Sequence, residues 1–294
     1  MSEIREFTVG FIGLGNMGAP MARRLLDWPG GLVVCDTRAE AVVPFTEGGA
    51  VRAISAAEVA ERCAVVSVAV LDDAQVRAVV AGPNGLLQTA KPGTVIAVHS
   101  TIADATAVRL AAECAEVGVE FVDAPISGGA PAAQRGALAV MVGGTETAFA
   151  AVREPFFRFG SLIVHAGPVG AGTRMKLARN LMHFVAFTAA AEAQRLAESA
   201  GLDITELGKV VRHSDSHTGG PGSIMLRDST APVAADDFWF PILSHVRNLG
   251  EKDLALALDL GRRLGVDLPL AQQSLHRLGD DLGVGPGDIA KERQ

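Results

Sequence analysis

Short apolar runs alternate with amphipathic segments through the first half of the chain. TVGFIG, GLVVCD, AVVSVAV, TVIAVH, VEFVDA, ALAVMVG and LIVHAG are rich in Val, Ile and Ala. Continuous apolar runs of this length are the mark of strands buried on both faces of a parallel sheet. The intervening segments, such as DATAVRLAAECAEVG, space their apolar residues as a helix does and supply the crossovers. The pattern predicts a doubly wound α/β domain with a mostly parallel sheet. After His165 the strand-like runs cease, and long helices ended by glycines follow, one finishing at Gly201 and one in DLALALDLGRRLG. The predicted junction is GPVGAG, Gly167 to Gly172, giving an α/β domain over 1–168 and an all-helical domain over 169–294, joined by a long helix.

The start of that long helix carries a polar stripe. In KLARNLMH, successive side chains turn by roughly 100°, so Lys176, Arg179, Asn180 and His183 fall on about a third of the circumference. Around them lie Leu177, Ala178, Leu181 and Met182, then Phe184, Val185, Ala186 and Phe187. A helix apolar around most of its circumference is expected to be buried, and a polar stripe on it must meet partners or a wet cleft.

Composition narrows what such a cleft can be. The 294 residues are 49% hydrophobic and 20% charged, enough for one large or two ordinary cores. A net charge of -7 with no basic run argues against nucleic acid. Cys35, Cys63 and Cys114 are odd in number and far apart, with no disulfide or zinc spacing. MSEIREF does not read as a secretion signal and no run reaches 18 apolar residues, so a cytoplasmic protein with no membrane partner is expected.

The first chemical motif is FIGLGNMGAPMARRLL. Gly13, Gly15 and Gly18 form G-x-G-x-x-G after a predicted strand and at the mouth of a helix, where the backbone of Leu14, Asn16 and Met17 can approach a pyrophosphate. Asp36 ends the next predicted strand, followed by Thr37 and Arg38. A carboxylate there accepts hydrogen bonds from both ribose hydroxyls and repels a 2′-phosphate, so a Rossmann site preferring NAD to NADP is expected, with Arg38 softening the preference.

Four motifs in order, FIGLGNMGAPMARRLL, DAPISGGAPAAQRGALAVMVGG, GAGTRMKLARN and EKDLALAL, resemble the β-hydroxyacid dehydrogenases of the 3-hydroxyisobutyrate dehydrogenase family, from residue 8 to about residue 275. The resemblance implies an NAD-dependent oxidation of a small β-hydroxy acid. It assigns Lys176 as the catalytic acid/base and Asn180, one turn on, as its companion on the substrate oxygen. Ser127, Gly128 and Gly129, a hydroxyl and two bare amides, would hold the substrate carboxylate. Val70, Leu71, Ser100 and Thr101 would lie along the cofactor, and Lys252, beside Asp253, would reach back to the substrate and nicotinamide. An isolated Lys-Asp pair near a helix start would otherwise be a solvated pair of little consequence.

The chain departs from the family pattern in the Ser100 segment and at Arg179 and His183 on the polar stripe. Asp104 stands where a proline is usual, Val98 where an acid is usual, and Arg179 where many relatives carry Asn. Arg179 has a planar fork suited to a carboxylate and is a second candidate for substrate binding. His183 would either line the pocket or find a packing partner. His213 and His217 stand four apart in HSDSHTGGPGS, where the glycines predict a substrate-side loop and no third ligand supports a metal. An imine reductase or a phosphogluconate-type dehydrogenase on the same scaffold, and a non-catalytic NAD-binding protein, are the alternatives. Lys176 speaks against the first, Arg179 before Asn180 against the second, and the combination of Lys176, Asn180 and Ser-Gly-Gly against the third. The apolar bulk of the helical half predicts a homodimer or homotetramer.

Overall fold

A computed structural model describes residues 7–225, 227 and 229–292. The chain divides into two compact units, one up to Asn180 and one from Leu181 onward. In the first, nine strands form one sheet: β1 (Val9–Ile12), β2 (Leu32–Cys35), β3 (Val51–Arg52), β4 (Val65–Val68), β5 (Val95–Val98), β6 (Glu120–Asp123), β7 (Ile126–Ser127), β8 (Leu138–Gly143) and β9 (Gly160–Gly167). Their order is β3-β2-β1-β4-β5-β6-β8-β7, with β9 also on β8. From β3 to β6 every pairing is parallel, with Val9 opposite both Leu32 and Val65. β8 runs antiparallel to β6 and β7 and parallel to β9.

The strand order reverses around β1, whose neighbours are β2 and β4. In doubly wound sheets the crevice outside the strand ends at such a reversal is the ligand site. The seven apolar runs contain the seven longer strands, apart from the first two residues of β9. β3 and β7, two residues each, were too short to leave a periodic trace, and both residues of β3 are exposed.

Helices α1 (Gly18–Arg23), α2 (Ala39–Thr46), α3 (Ala56–Arg62), α4 (Asp73–Ala81), α5 (Asp104–Glu116), α6 (Gly129–Gln134) and α7 (Glu146–Phe159) connect the strands. Because side chains alternate along a strand, neighbours in sequence feed opposite layers. Phe11 joins a core with Met21, Leu25, Phe45, Phe156 and Phe159, while Ile12 joins the other with Val59, Val80, Leu110 and Phe121. All three cysteines are free and buried in that second layer.

The helical part begins with α8 (Ala171–Ser199), followed by α9 (Ile204–Thr218), α10 (Trp239–Leu264), α11 (Pro269–Asp281) and α12 (Asp288–Glu292). Two buried glutamates tie the second unit together. Glu192 on α8 accepts from the amides of Leu270 and Ala271 at the start of α11, at 2.9 and 3.2 Å. Glu251 on α10 accepts from those of Gly287 and Ala290 around the start of α12, at 2.8 and 3.3 Å. The first amides of a helix have no partner within it, so each carboxylate satisfies two orphan donors and opposes the positive end of the dipole.

Two local expectations are corrected. The HSDSH segment lies in the last turns of α9, which Asp203 caps at its start and Gly219, at φ 83°, closes; the glycines follow the helix rather than breaking it. Lys252 and Asp253 lie in the interior of α10, not near its start, because the helix runs straight through Gly250. A side chain at Gly250 would stand 2.5 Å from Leu278, so the glycine is there for close packing against α11. Around α8, Leu177, Leu181, Phe184, Val185 and Phe187 remain exposed in the single chain, although the apolar circumference predicted burial. Among the described residues, no helix is long and apolar enough to cross a membrane.

Candidate active site

The cleft at the strand reversal has a volume of ≈ 1030 Å³, at the upper end of the ~300–1,000 Å³ usual for small-molecule sites. Gly13, Gly15, Asn16, Met17 and Gly18 line one wall, Asp36, Thr37 and Arg38 another, and Val70 and Leu71 a third. The glycines are there for a steric reason. Gly13 has φ 91°, a Cβ on it would strike the Ala69 carbonyl, and a Cβ on Gly18 would collide with the Gly13 carbonyl oxygen. A Cβ on Gly15 would meet no protein atom within 4 Å and would only take up cleft space. This bare backbone pinch at the start of α1 is the cradle a pyrophosphate requires, so the residues fit a dinucleotide.

Asp36 organises the ribose end. Its Oδ2 accepts from the Leu14 amide at 2.6 Å and its Oδ1 from the Arg38 amide at 2.8 Å. The Arg38 guanidinium folds back, 3.2 Å from Asp36 Oδ1 and 3.2 Å from the Leu14 carbonyl. Partial burial pushes the Asp36 pKa up, but the bonds from Arg38 and Leu14 outweigh it and hold the carboxyl below its ordinary value. The group is therefore charged at neutral pH.

Ser100 acts on the third wall without lining the cleft. Its hydroxyl donates to the Val70 carbonyl at 2.6 Å and accepts from the Val70 amide at 3.1 Å, pinning the turn after β4. Leu14 and Thr101 do not line this cleft either. Sequence reading did not single out Ile54, Ser55, Gln75, Val79 or Asn84, which complete the walls. They come from α4 and from the turns before α3 and after α4, and carry no motif.

The second cluster lies where β6, β7 and α8 meet. Gly128 at φ 130° and Gly129 at φ 72° turn the chain sharply after Ser127 into α6, a conformation that side-chain-bearing residues rarely adopt. Lys176 Nζ donates to the Ile126 carbonyl at 2.5 Å, one residue before Ser127. Burial lowers the Lys176 pKa, and the neighbouring Arg179 cation lowers it further. The Arg179 guanidinium donates to Asn180 Oδ1 at 3.2 Å, which commits the amide oxygen and leaves the Asn180 NH₂ as the donor. In the first unit the polar stripe therefore meets the chain just before the Ser-Gly-Gly turn through Lys176, while Arg179 and Asn180 pair with each other on the same helix.

His183, in the second unit, packs its ring 4.3 Å from Phe187 and 5.4 Å from Phe184. His213 and His217 are exposed on α9, and no group of three or more His, Cys, Asp or Glu suited to a metal occurs among the described residues. Lys252 is exposed on α10, 3.1 Å from Asp253. Asp123, at the end of β6, was not singled out by sequence reading. It is fully buried and accepts from the amides of Thr173 at 2.6 Å and Gly170 at 2.7 Å.

Comparison with known proteins gives the family. Residues 8–167 match the family model for the NAD binding domain of 6-phosphogluconate dehydrogenase, and residues 170–280 match that for the NAD-binding region of NADP-dependent 3-hydroxyisobutyrate dehydrogenase. An uncharacterised oxidoreductase of Mycobacterium tuberculosis is 61% identical over 276 residues, 94% of this chain and 93% of that protein. The mitochondrial 3-hydroxyisobutyrate dehydrogenase of Mus musculus is 36% identical over 256 residues, 85% of this chain and 75% of the mouse protein. A crystal structure from Mycobacterium avium 104, 52% identical and covering 96% of this chain and all of that one, superposes with a TM-score of 0.91. The chain belongs to the 3-hydroxyisobutyrate dehydrogenase family of β-hydroxyacid dehydrogenases and is an NAD(P)-dependent oxidoreductase.

Proposed function

We propose that this enzyme interconverts a small β-hydroxy acid and its carbonyl form, with Lys176 as general acid/base and NAD preferred to NADP. The observation that carries the reading is the 2.5 Å bond from Lys176 Nζ to the Ile126 carbonyl, which holds the amine beside the Ser127-Gly128-Gly129 turn. A carboxylate held by that turn presents its β-hydroxyl within reach of the amine. A bound nicotinamide supplies a hydride acceptor at C4 in the oxidation and a hydride donor in the reverse direction. As the alcohol is oxidised, neutral Lys176 takes the hydroxyl proton; in reduction it returns it. Its lowered pKa raises the neutral fraction near neutral pH, and such acid-base help is typically worth ~10²–10⁴ in rate. Asn180 donates to the same oxygen and orients it, and Arg179 adds a cation for the substrate anion. The family resemblance adds Lys252 at the nicotinamide end.

The charged Asp36 favours NAD, while Arg38 beside it is the residue able to meet a 2′-phosphate. In this reading residues 1–168 bind the cofactor and 169–294 shape the substrate pocket and the oligomer. The exposed Leu181, Phe184 and Phe187 on α8 favour a homodimer or homotetramer, and the buried free thiols fit a cytoplasmic setting. The test is reduction of NAD and of NADP across a panel of small 3-hydroxy acids, with Lys176→Met beside the native enzyme. Turnover with NAD that collapses in the variant supports the reading; NAD binding without turnover on a broad panel refutes it.

A further inference from the structure

Four observations meet at one residue. Asp123 is completely buried, and its two carboxylate oxygens accept from the amides of Gly170, just before α8, and Thr173, in its first turn. Thr173 lies one turn before Lys176 on the same helix. Asp123 precedes Ile126, whose carbonyl takes the Lys176 amine, by only three positions, and Ser127 by four. Around this joint the backbones are in contact. A Cβ on Gly172 would stand 2.6 Å from the Asp123 carbonyl oxygen, and one on Gly143 would strike the Asp123 carboxylate.

We infer that Asp123 is a positioning residue: it clamps the first turn of α8 to the end of β6, and so fixes the Lys176 amine relative to the carboxylate-holding turn that begins at Ser127. The inference rests on the acid/base role proposed for Lys176 but assigns to Asp123 no contact with substrate. One continuous stretch, Asp123 to Gly129, then does three things. Its first residue holds the base of the helix, its fourth holds the tip of the lysine side chain, and its last three hold the substrate acid. Lys176 is thereby tied at root and tip to the segment that binds the substrate, and the distance between amine and β-hydroxyl becomes a property of seven residues.

The chemistry of the clamp explains why a carboxylate is needed. Two amide donors converge on the side chain, and only a carboxylate offers an acceptor to each; an amide of the same shape would turn an NH₂ toward one of them. A buried donor left unmatched is costly, and the first turn of α8 would shift or fray to find water. A misplacement of a reacting group by about 1 Å costs ~10²-fold in rate.

The experiment is Asp123→Asn, read by kinetics and by its pH profile. The expected result is a kcat lowered by roughly ten- to a hundredfold, with KM for NAD unchanged because the dinucleotide cleft lies on other strands. The ascending limb of kcat/KM for alcohol oxidation should also move to higher pH, since a lysine released from its half-buried position regains its ordinary basicity. A folded Asp123→Asn enzyme with native kcat and an unmoved limb overturns the inference while leaving the reaction assignment intact. So does a loss that disappears once activity is expressed per folded molecule. If the variant does not fold, residue-resolved hydrogen exchange in the native enzyme decides. The Gly170 and Thr173 amides should exchange as slowly as those of β5, and exchange at the rate of exposed amides refutes the clamp. Absence of any hydroxy-acid turnover in the native enzyme would defeat the underlying reading instead, and is scored separately.

Discussion

Acid should loosen the first unit through His99. Its ring is buried at the end of β5, 5.0 Å from Phe156 and 5.5 Å from Phe159. Nδ1 faces the Ala124 carbonyl at 2.8 Å and must donate to it, so Nε2, 3.0 Å from Ser67 Oγ, carries the lone pair and accepts from that hydroxyl. Protonating Nε2 would put a cation among phenyl rings, and burial pushes the pKa down from 6.5 to about 4. Between these values the unfolded chain binds a proton that the folded chain refuses. The stabilising contribution is therefore complete above pH ~6.5 and is lost as pH falls toward about 4. At ~1.4 kcal/mol per pH unit the loss comes to about 3 kcal/mol, a large share of a typical ~5–15 kcal/mol. His99→Phe keeps an aromatic ring without the titration. It carries a constant penalty from orphaning the Ala124 carbonyl and the Ser67 hydroxyl, while other titrating groups cancel in the comparison. Urea unfolding read by hydrogen exchange of β1, β4 and β5 should show the native advantage over His99→Phe shrinking by about 3 kcal/mol between neutral pH and pH ~4. A constant difference across that range would refute a buried neutral imidazole.

Other consequences follow for the site and the helical unit. Lys176→Met should lower kcat for oxidation by ~10²–10⁴ while leaving the dissociation constant for NAD unchanged by calorimetry. Arg179→Ala removes a cation that depresses the Lys176 pKa, so the ascending limb of the oxidation pH profile should move upward; a stationary limb would show that the two charges do not interact. Asp36→Ser should cut kcat/KM with NAD by ~10–100-fold, the worth of hydrogen bonds to a charged acceptor, and shift the NAD-to-NADP ratio toward NADP. An unchanged ratio would remove Asp36 from cofactor choice. Glu192→Ala leaves the Leu270 and Ala271 amides unmatched and should destabilise the second unit by about 1–3 kcal/mol in denaturant, with NAD affinity unaltered.

What could be read from the sequence was whatever repeats or clusters locally. Strands such as Val65–Val68 announce themselves because both faces are buried, and Gly13, Gly15, Gly18 and Asp36 because the cradle packs its steric demands into one turn and the next strand end. The gathering of Lys176, Arg179 and Asn180 followed from helical spacing. What escaped is non-local. Glu192 answers amides 78 and 79 positions away, Glu251 amides 36 and 39 away, and Asp123 amides 47 and 50 away, so no window of sequence contains both halves of the interaction. The helical state of His213 was misjudged because Gly219 and Gly220 were weighed without Asp203, the cap that starts α9. Lys252 and Asp253 were placed near a helix start because only tertiary packing, the approach of Leu278, reveals why Gly250 sits inside α10.

The burial of the cysteines in one layer of the sheet has a practical use. Burial drives the Cys63 and Cys114 thiols up to about 12 and raises Cys35 as well, so at neutral pH hardly any thiolate exists for an electrophile to find. All three belong to the first unit, which makes alkylation rate a built-in clock for the opening of that unit alone, readable by mass without adding a dye or altering a residue.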